Sequence, residues 1–371
     1  MNILLFIVVI VALIVVHEFG HLIVAKLSGM RVDEFGLGYP PRAAIIGKLR
    51  GTVFTLNWLP FGGFVKIFGE DGAPSDVPSE SRDGRAFTQK NRFTQALVLI
   101  AGITMNLFFA YVLITGALIA GTPRVLSQNE IANARGVELA IAGVLPGTPA
   151  ALAGLLPGDI ILSAEDGHYA FSGTDPAAFT KFVSDGGGNT TIALSVRHAD
   201  GEEVMLFARP TAGVVVSDLL RPALGIAVVT IGVVPLSFGT AIKEGASLTW
   251  GTIAITAAGL WHFFYGIFTF QADLSQVAGP VGIADAVGAA SAQSFGNLLS
   301  LVAIISINLA LINLIPVPAL DGGRFLFVII ESIIRRPIKV SVARAVNSVG
   351  FAFLVLLMVA VTVHDIFNIV G

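Results

Sequence analysis

The chain has 371 residues, of which 54% are hydrophobic and 13% charged, with a net charge of -3 and no cysteine. A soluble domain carries roughly 25% charged residues, so this is the composition of an integral membrane protein. The charge balance offers no basis for nucleic-acid binding, and the lack of cysteine excludes disulfides, thiolate metal sites and cysteine catalysis.

Residues 1–27 are predicted as a first transmembrane helix. Met1 to His17 contains no Asp, Glu, Lys or Arg, and Leu22 to Ala25 continues the apolar run to Lys26; about 20 such residues cross a bilayer. The segment lacks a basic start and a small-residue cleavage site, so it reads as retained rather than as a signal peptide. Inside it, His17, Glu18 and His21 form an HExxH pattern. On a helix, positions i and i+4 share a face, so both imidazoles can bind one zinc while Glu18 reaches the reacting water. Two histidines and a carboxylate are costly in hydrocarbon, which makes the trio a functional-site hypothesis. The plainer alternative is a helix whose polar residues pair with neighbours or sit at the interface.

Residues 28–70 are predicted as a membrane-associated β element. Thr52 to Leu59 and Gly63 to Ile67 read as strands, interrupted by Pro60 and Gly62. An exposed strand edge there can bind an unwound substrate by strand addition, with Phe64 and Val65 as the expected contacts. The alternative is a soluble cytoplasmic hairpin. Residues 71–91, with Pro74, Pro78, Ser79 and Ser81, read as a polar cytoplasmic loop, and 92–123 as the second span.

Residues 127–215 change to short strands, turn signals and more charge. Gly143 to Ile161, with Pro146-Gly147 and Pro157-Gly158-Asp159, resembles the bacterial PDZ signature of a turn, a short helix and a tight loop into a strand. Residues 175–184 suggest a second helix, and 189–197 with 203–209 a hairpin around Asp200-Gly201. A PDZ groove binds an extended peptide or C-terminus, here with Ile141 to Leu145 as the expected wall. A steric filter over the active site and a purely structural β-domain are the alternatives.

Residues 236–272 contain Trp250, Trp261, His262 and Tyr265, aromatics favoured at an interface. Charge parity decides their placement. Residues 26–92 hold ten of the 22 Lys and Arg, and Arg335, Arg336, Lys339 and Arg344 form a second basic stretch, whereas 121–290 hold seven. Basic loops stay in the cytoplasm. If 236–272 crossed, 335–344 would fall outside, so this region is predicted as an interfacial amphipathic helix. Four spans result, with 286–334 and 345–367 as the third and fourth, both termini outside and the 127–215 domain extracytoplasmic.

Two histidines leave a catalytic zinc site one protein ligand short. The best candidate is Asp321 in Asn313-Leu-Ile-Pro316-Val-Pro318-Ala-Leu-Asp321-Gly322-Gly323, where prolines and glycines break the helix. In a four-span arrangement the first and third helices run in the same direction, so His21 and Asp321 share a level. The competing reading makes Asp321 a helix N-cap. Of the other histidines, His168 and His198 fall at turn-like positions, His262 among interfacial aromatics and His364 beside Asp365, and none is expected to ligate metal.

HExxH in the first span with NxxPxPxLDGG in a later one resembles the site-2 protease family of intramembrane zinc metalloproteases. Gly279-Pro280-Val281-Gly282-Ile283, Phe35-Gly36-Leu37-Gly38 and the PDZ-like insert resemble its bacterial regulator-of-sigma-factor branch. The resemblance implies a polytopic helical membrane protein in a bacterial inner membrane, with Zn2+ on His17, His21 and Asp321 and Glu18 as general base. Asn313 would bind or orient the substrate backbone, and Asn106 in the second span would also belong to the substrate site. The stretch Ala101-Gly102-Ile103-Thr104-Met105-Asn106 lacks the Gly-Pro usual before that asparagine, and the chain has room for one PDZ domain where many relatives carry two. Expected partners are single-span membrane proteins of the anti-sigma-factor or remnant-signal-peptide type, the lipid bilayer and a peptide ligand of the PDZ domain. A non-catalytic PDZ scaffold is the alternative function. A proton or ion transporter is a third, disfavoured by four spans without an internal repeat.

Overall fold

The protein is described from a computed structural model covering residues 2–70, 84–186, 190–199, 201–214, 220–234, 236–269 and 279–370. Most of the predicted 71–91 loop lies outside these residues. Two compact units are present: Met1–Gly116, Ile242–Gly288 and Leu298–Gly371 form one, and Ala117–Ala241 with Ala289–Asn297 the other. Among the described residues, four helical stretches are long and apolar enough to cross a membrane: Ile3–Leu27, Arg92–Ala120, Phe295–Leu314 and Val340–Val363.

Helix α1 (Asn2–Leu27) ends at Gly29, whose positive φ of 67° turns the chain into the β element. That element consists of β1 (Val32–Leu49), which the sequence reading does not mark as a strand, and β2 (Thr52–Ile67), which runs through both predicted strands. Both strands bend, so the pair folds into four antiparallel rows. Residues 34–37 pair with 53–56 on one side and with 63–66 on the other, while 39–49 pair with 52–59. Gly62, at φ 109°, supplies the bend that the sequence reads as a break. Row 63–67 is thereby an edge, paired on one side only. Ile45, Ile46 and Trp58 are 61%, 61% and 71% exposed, an apolar outer surface suited to lipid rather than water.

Helix α2 (Arg92–Ala120) packs on α1 at Gly20, where a Cβ would lie 2.4 Å from the Ala101 carbonyl oxygen. The absence of a side chain lets the two backbones approach as membrane helices do through small residues. Leu22, Ala25, Val98 and Leu99 of this contact share a buried core with Phe35 and Ile67 of the β element.

The second unit is built on β3 (Arg124–Val125), α3 (Gln128–Ile131), β4 (Arg135–Val144), α4 (Pro149–Leu152), β5 (Ile160–Glu165), β6 (Ala170–Phe171), α5 (Pro176–Asp185), β7 (Ile192–Arg197), β8 (Glu203–Ala208) and β9 (Ile226–Val233). The antiparallel sheet runs β3-β9-β4-β5-β7-β8, with β6 on β5. Leu139, Ile141, Phe179, Ile192 and Leu194 form its core. Asp175 caps α5, its carboxylate accepting the Ala177 amide. The predicted helix at 175–184 and the 189–197/203–209 hairpin correspond to α5 and to β7 with β8. One expectation is corrected: the domain does not end at 215, because β9 lies beyond it and pairs with β4 from Arg135 to Val144. Of the expected wall Ile141 to Leu145, Gly143, Val144 and Leu145 line a groove. The groove runs between α5 and β9, whose outer edge pairs with β3 only at Ile231 and Gly232.

Helix α6 (Phe238–Phe268) occupies the predicted interfacial region and is not among the four potential spans. Gly245 and Thr249 are buried, and a Cβ on Gly245 would meet Thr115 of α2 at 2.2 Å, while Trp250, Trp261 and Tyr265 are exposed. The predicted third span, 286–334, is corrected to three helices: α7 (Pro280–Gln293), α8 (Phe295–Leu314) and α9 (Asp321–Ile334). Pro316 and Pro318 have no amide to donate, so α8 stops and the chain reverses through Ala319 at φ 77°. Gly322 and Gly323 then pass under this bend, where a Cβ would lie 2.3 Å from the carbonyl oxygens of Ile315 and Val317 respectively. Helix α10 (Val340–Val370) closes the unit, with Gly350 against Pro318.

Candidate metal centre

The bend between α8 and α9 delivers Asp321 to the face of α1 that carries the histidines. Asp321 Oδ2 lies 2.8 Å from His17 Nε2 and 3.2 Å from His21 Nε2, and the two Nε2 atoms are 3.2 Å apart. Ligands held at zinc-ligand distances around a tetrahedral ion are about 3.3 Å from one another, so this donor set fits zinc. The histidines are 6% and 8% exposed. Asp321 is not the N-cap of α9: Leu320 holds that position, without a side-chain cap, and the carboxylate turns to the histidines instead. No other histidine joins a potential metal cluster among the described residues. His198 instead pairs with buried Asp159 at 2.7 Å.

Helix α2 forms the back wall. The Val98 carbonyl accepts a hydrogen bond from His21 Nδ1 at 2.8 Å, which places the ring proton there and leaves Nε2 free as a ligand. Gly102, four residues on, leaves space for the rings: a Cβ there would be 2.4 Å from His21 Nε2 and 2.8 Å from His17 Nε2. Another four residues on, Asn106 lies 3.3 Å from His17 Nδ1 and is fully buried. Sequence reasoning missed Val98, whose contribution is a main-chain carbonyl, and Gly102, whose contribution is the lack of a side chain. The available signal was their i, i+4, i+8 spacing with Asn106.

Two cavities meet at Glu18. One, of about 420 Å3, is lined by apolar residues of α1 from Phe6 to Ile14 and by His17, Glu18, Asn313 and Asp321. The other, of about 590 Å3, is lined by Glu18, His21, the edge row from Gly63 to Ile67, Glu70 and Arg324. Phe64 and Val65 thus border the site on the polar side, with the Val65 amide interacting with the Glu18 carboxylate, and Asn313 borders it on the apolar side. Asn106, expected at the substrate site, lines neither cavity and lies next to His17 Nδ1. Arg324 lines the polar cavity and pairs with Glu70. Its signal was its position one helical turn beyond Asp321.

Such a buried N, N, O donor set with a carboxylate beside it suits hydrolysis by an activated water. Known proteins match the chain over most of its length. The family described as peptidase family M50 matches residues 5–357. A protein of Clostridium perfringens named as a zinc metalloprotease is 33% identical over 355 residues, covering 96% of this chain and 95% of its own. One of a Nostoc species, named likewise, is 32% identical over 369 residues, 95% of this chain and 93% of its own. Zinc metalloprotease RasP of Oceanobacillus iheyensis is 28% identical over 434 residues, 95% of this chain and 96% of its own. With its apolar helices and a match that spans nearly the whole sequence, the chain belongs to peptidase family M50, the site-2 protease family, and is a multi-pass membrane zinc metalloprotease.

Proposed function

We propose that the protein is an intramembrane endopeptidase of a bacterial inner membrane that cleaves single-span membrane proteins, with His17, His21 and Asp321 as zinc ligands and Glu18 as general base. The observation that carries this reading is the convergence of three ligand atoms from α1 and α9 at the junction of two cavities bordered by Glu18. Zinc bound there would lower the pKa of water towards 7 and polarise the scissile carbonyl. Glu18 takes the proton from the attacking water and delivers it to the leaving amide nitrogen, so one peptide bond and one water become a carboxylate and an amine.

A helical substrate hides its backbone in its own hydrogen bonds and must unwind to be cut. The free edge at Gly63 to Ile67 offers main-chain partners to an extended segment, with Phe64 and Val65 contacting its side chains. Asn313, at the end of α8, donates a hydrogen bond to the substrate backbone from the apolar side. The apolar cavity along Phe6 to Ile14 receives the part of the substrate still in the bilayer.

The Ala117–Ala241 unit is a single PDZ-type domain on the extracytoplasmic side. Its groove, about 360 Å3, is lined by Leu145, Phe179, Val183, Leu224 and Ile226 beside the Arg221 guanidinium. Arg221 Nε is buried with no hydrogen-bond partner among the described residues. An apolar side chain and a terminal carboxylate, added along β9, fit that combination.

The test compares the purified protein with Glu18→Gln on a panel of single-span substrates, intact and pre-trimmed, with and without a zinc chelator. Cleavage by the parent alone, abolished by chelation, is expected. Equal cleavage by both proteins would remove Glu18 as base, and no cleavage of any substrate by a zinc-loaded parent would sink the endopeptidase reading.

A further inference from the structure

The Asn106 side chain has one polar neighbour among the described residues, His17 Nδ1 at 3.3 Å, and its amide oxygen is buried without a partner. A polar side chain fully excluded from water costs stability unless its polar partner repays it. Its backbone is fixed from the other side: Ser306 Oγ donates to the Asn106 carbonyl at 2.9 Å, tying α2 to α8 at the level of the histidines. We propose that Asn106 is a positioning residue for the metal ligand His17, matched by the Val98 carbonyl on His21, rather than a substrate contact.

The chemistry is set by the ligand. His17 meets Asp321 and His21 through Nε2, so a metal bound at Nε2 leaves the ring proton on Nδ1, which then needs an acceptor. The two ends of an asparagine amide exchange places by a half-turn about its terminal torsion. That turn presents Oδ1 to the Nδ1 proton, fixing both the tautomer and the plane of the ring. Val98 and Asn106 are eight residues apart on one face of α2, and Gly102 between them makes room for both rings. One helix therefore orients both histidines while contributing no ligand. The inference rests on the assignment of His17 Nε2 as a zinc ligand.

The test is zinc affinity of the full chain in detergent, by competition with a chromophoric chelator, for Asn106→Leu, Asn106→Asp and His17→Ala. Leucine matches the volume and has no acceptor, so affinity should fall about 10- to 100-fold. Aspartate keeps an acceptor oxygen and should retain the parent's affinity. A packing role predicts the reverse order, because leucine fills the site and aspartate buries a charge. Parent-like affinity in Asn106→Leu, or an Asn106→Asp variant as weak as Asn106→Leu, would overturn the proposal. Parent-like affinity in His17→Ala would overturn the ligand assignment beneath it. Should Asn106→Leu fail to fold, nitrogen NMR of zinc-loaded parent protein with labelled histidines still decides: a protonated, exchange-protected Nδ1 on His17 is expected, and zinc on Nδ1 would end the proposal.

Discussion

Arg324 and Glu70 form an ion pair that joins the first turn of α9 to the chain just beyond β2, beside the polar cavity. Arg324 lies three residues after Asp321, so a contact on the β element is coupled through one helical turn to a candidate metal ligand. With the Arg324 side chain 39% exposed and that of Glu70 15%, the pair is too wet to add much stability. Its effect should be on geometry. Arg324→Gln is expected to lower kcat/KM by about tenfold while zinc stoichiometry stays at the parent level, because small misplacements of the substrate edge are amplified in rate. Peptidase assays paired with metal analysis check this, and zinc loss in Arg324→Gln would place its role in the metal site instead.

Asp321 is the candidate for the ligand that two histidines alone leave missing. After gel filtration in detergent, Asp321→Ala should retain well under one zinc per chain, whereas Glu18→Gln, which alters no ligand, should keep a parent-like content. Atomic absorption on both variants separates ligand from base. Equal retention would remove Asp321 from the set.

Much of this site was legible because its parts obey short-range rules. HExxH is a helix-face pattern, and Asp321 announces itself through the prolines and glycines around it. Two features escaped. The four rows of the β element depend on β1 pairing along both its sides, which no alternation of residues reports. On the inner face of α2 only Asn106 was singled out, through the family resemblance, because the other contributions are a carbonyl and a missing side chain. The first break in the third span was missed for a related reason: hydropathy does not register where α7 ends and α8 begins at Ser294.

Gly102 gives the sharpest steric test of the α2 wall. Gly102→Ala introduces a methyl 2.4 Å from His21 Nε2, so the rings must move. A loss of about 1–3 kcal/mol in stability and a marked fall in zinc affinity are expected. On the same helix Gly116→Ala meets nothing closer than Leu299 Cδ1 at 3.7 Å and should change neither. Thermal unfolding with and without zinc compares the two variants.

The groove between α5 and β9 makes a separate demand. Labelled peptides with an apolar last residue and a free carboxylate should bind the full chain, and their amidated counterparts should bind at least tenfold more weakly, since a hydrogen bond to a charged group is worth about 1.5–3 kcal/mol. Arg221→Ala should reduce the free peptides to the amidated level. Fluorescence anisotropy reads both, and indifference to amidation would dismiss terminal-carboxylate recognition.

The separation of the ligands along the chain also sets a timetable. His17 and Asp321 are 304 positions apart, and everything that folds between them includes the second unit. A ribosome making this protein releases the histidines and Glu18 early, but the donor set is completed only when the stretch after α8 has emerged and turned back. Unfinished or truncated chains that stop short of that turn carry the motif without its third ligand. On the proposed ligand set, this membrane protease is withheld from hydrolysis until its own synthesis is nearly done.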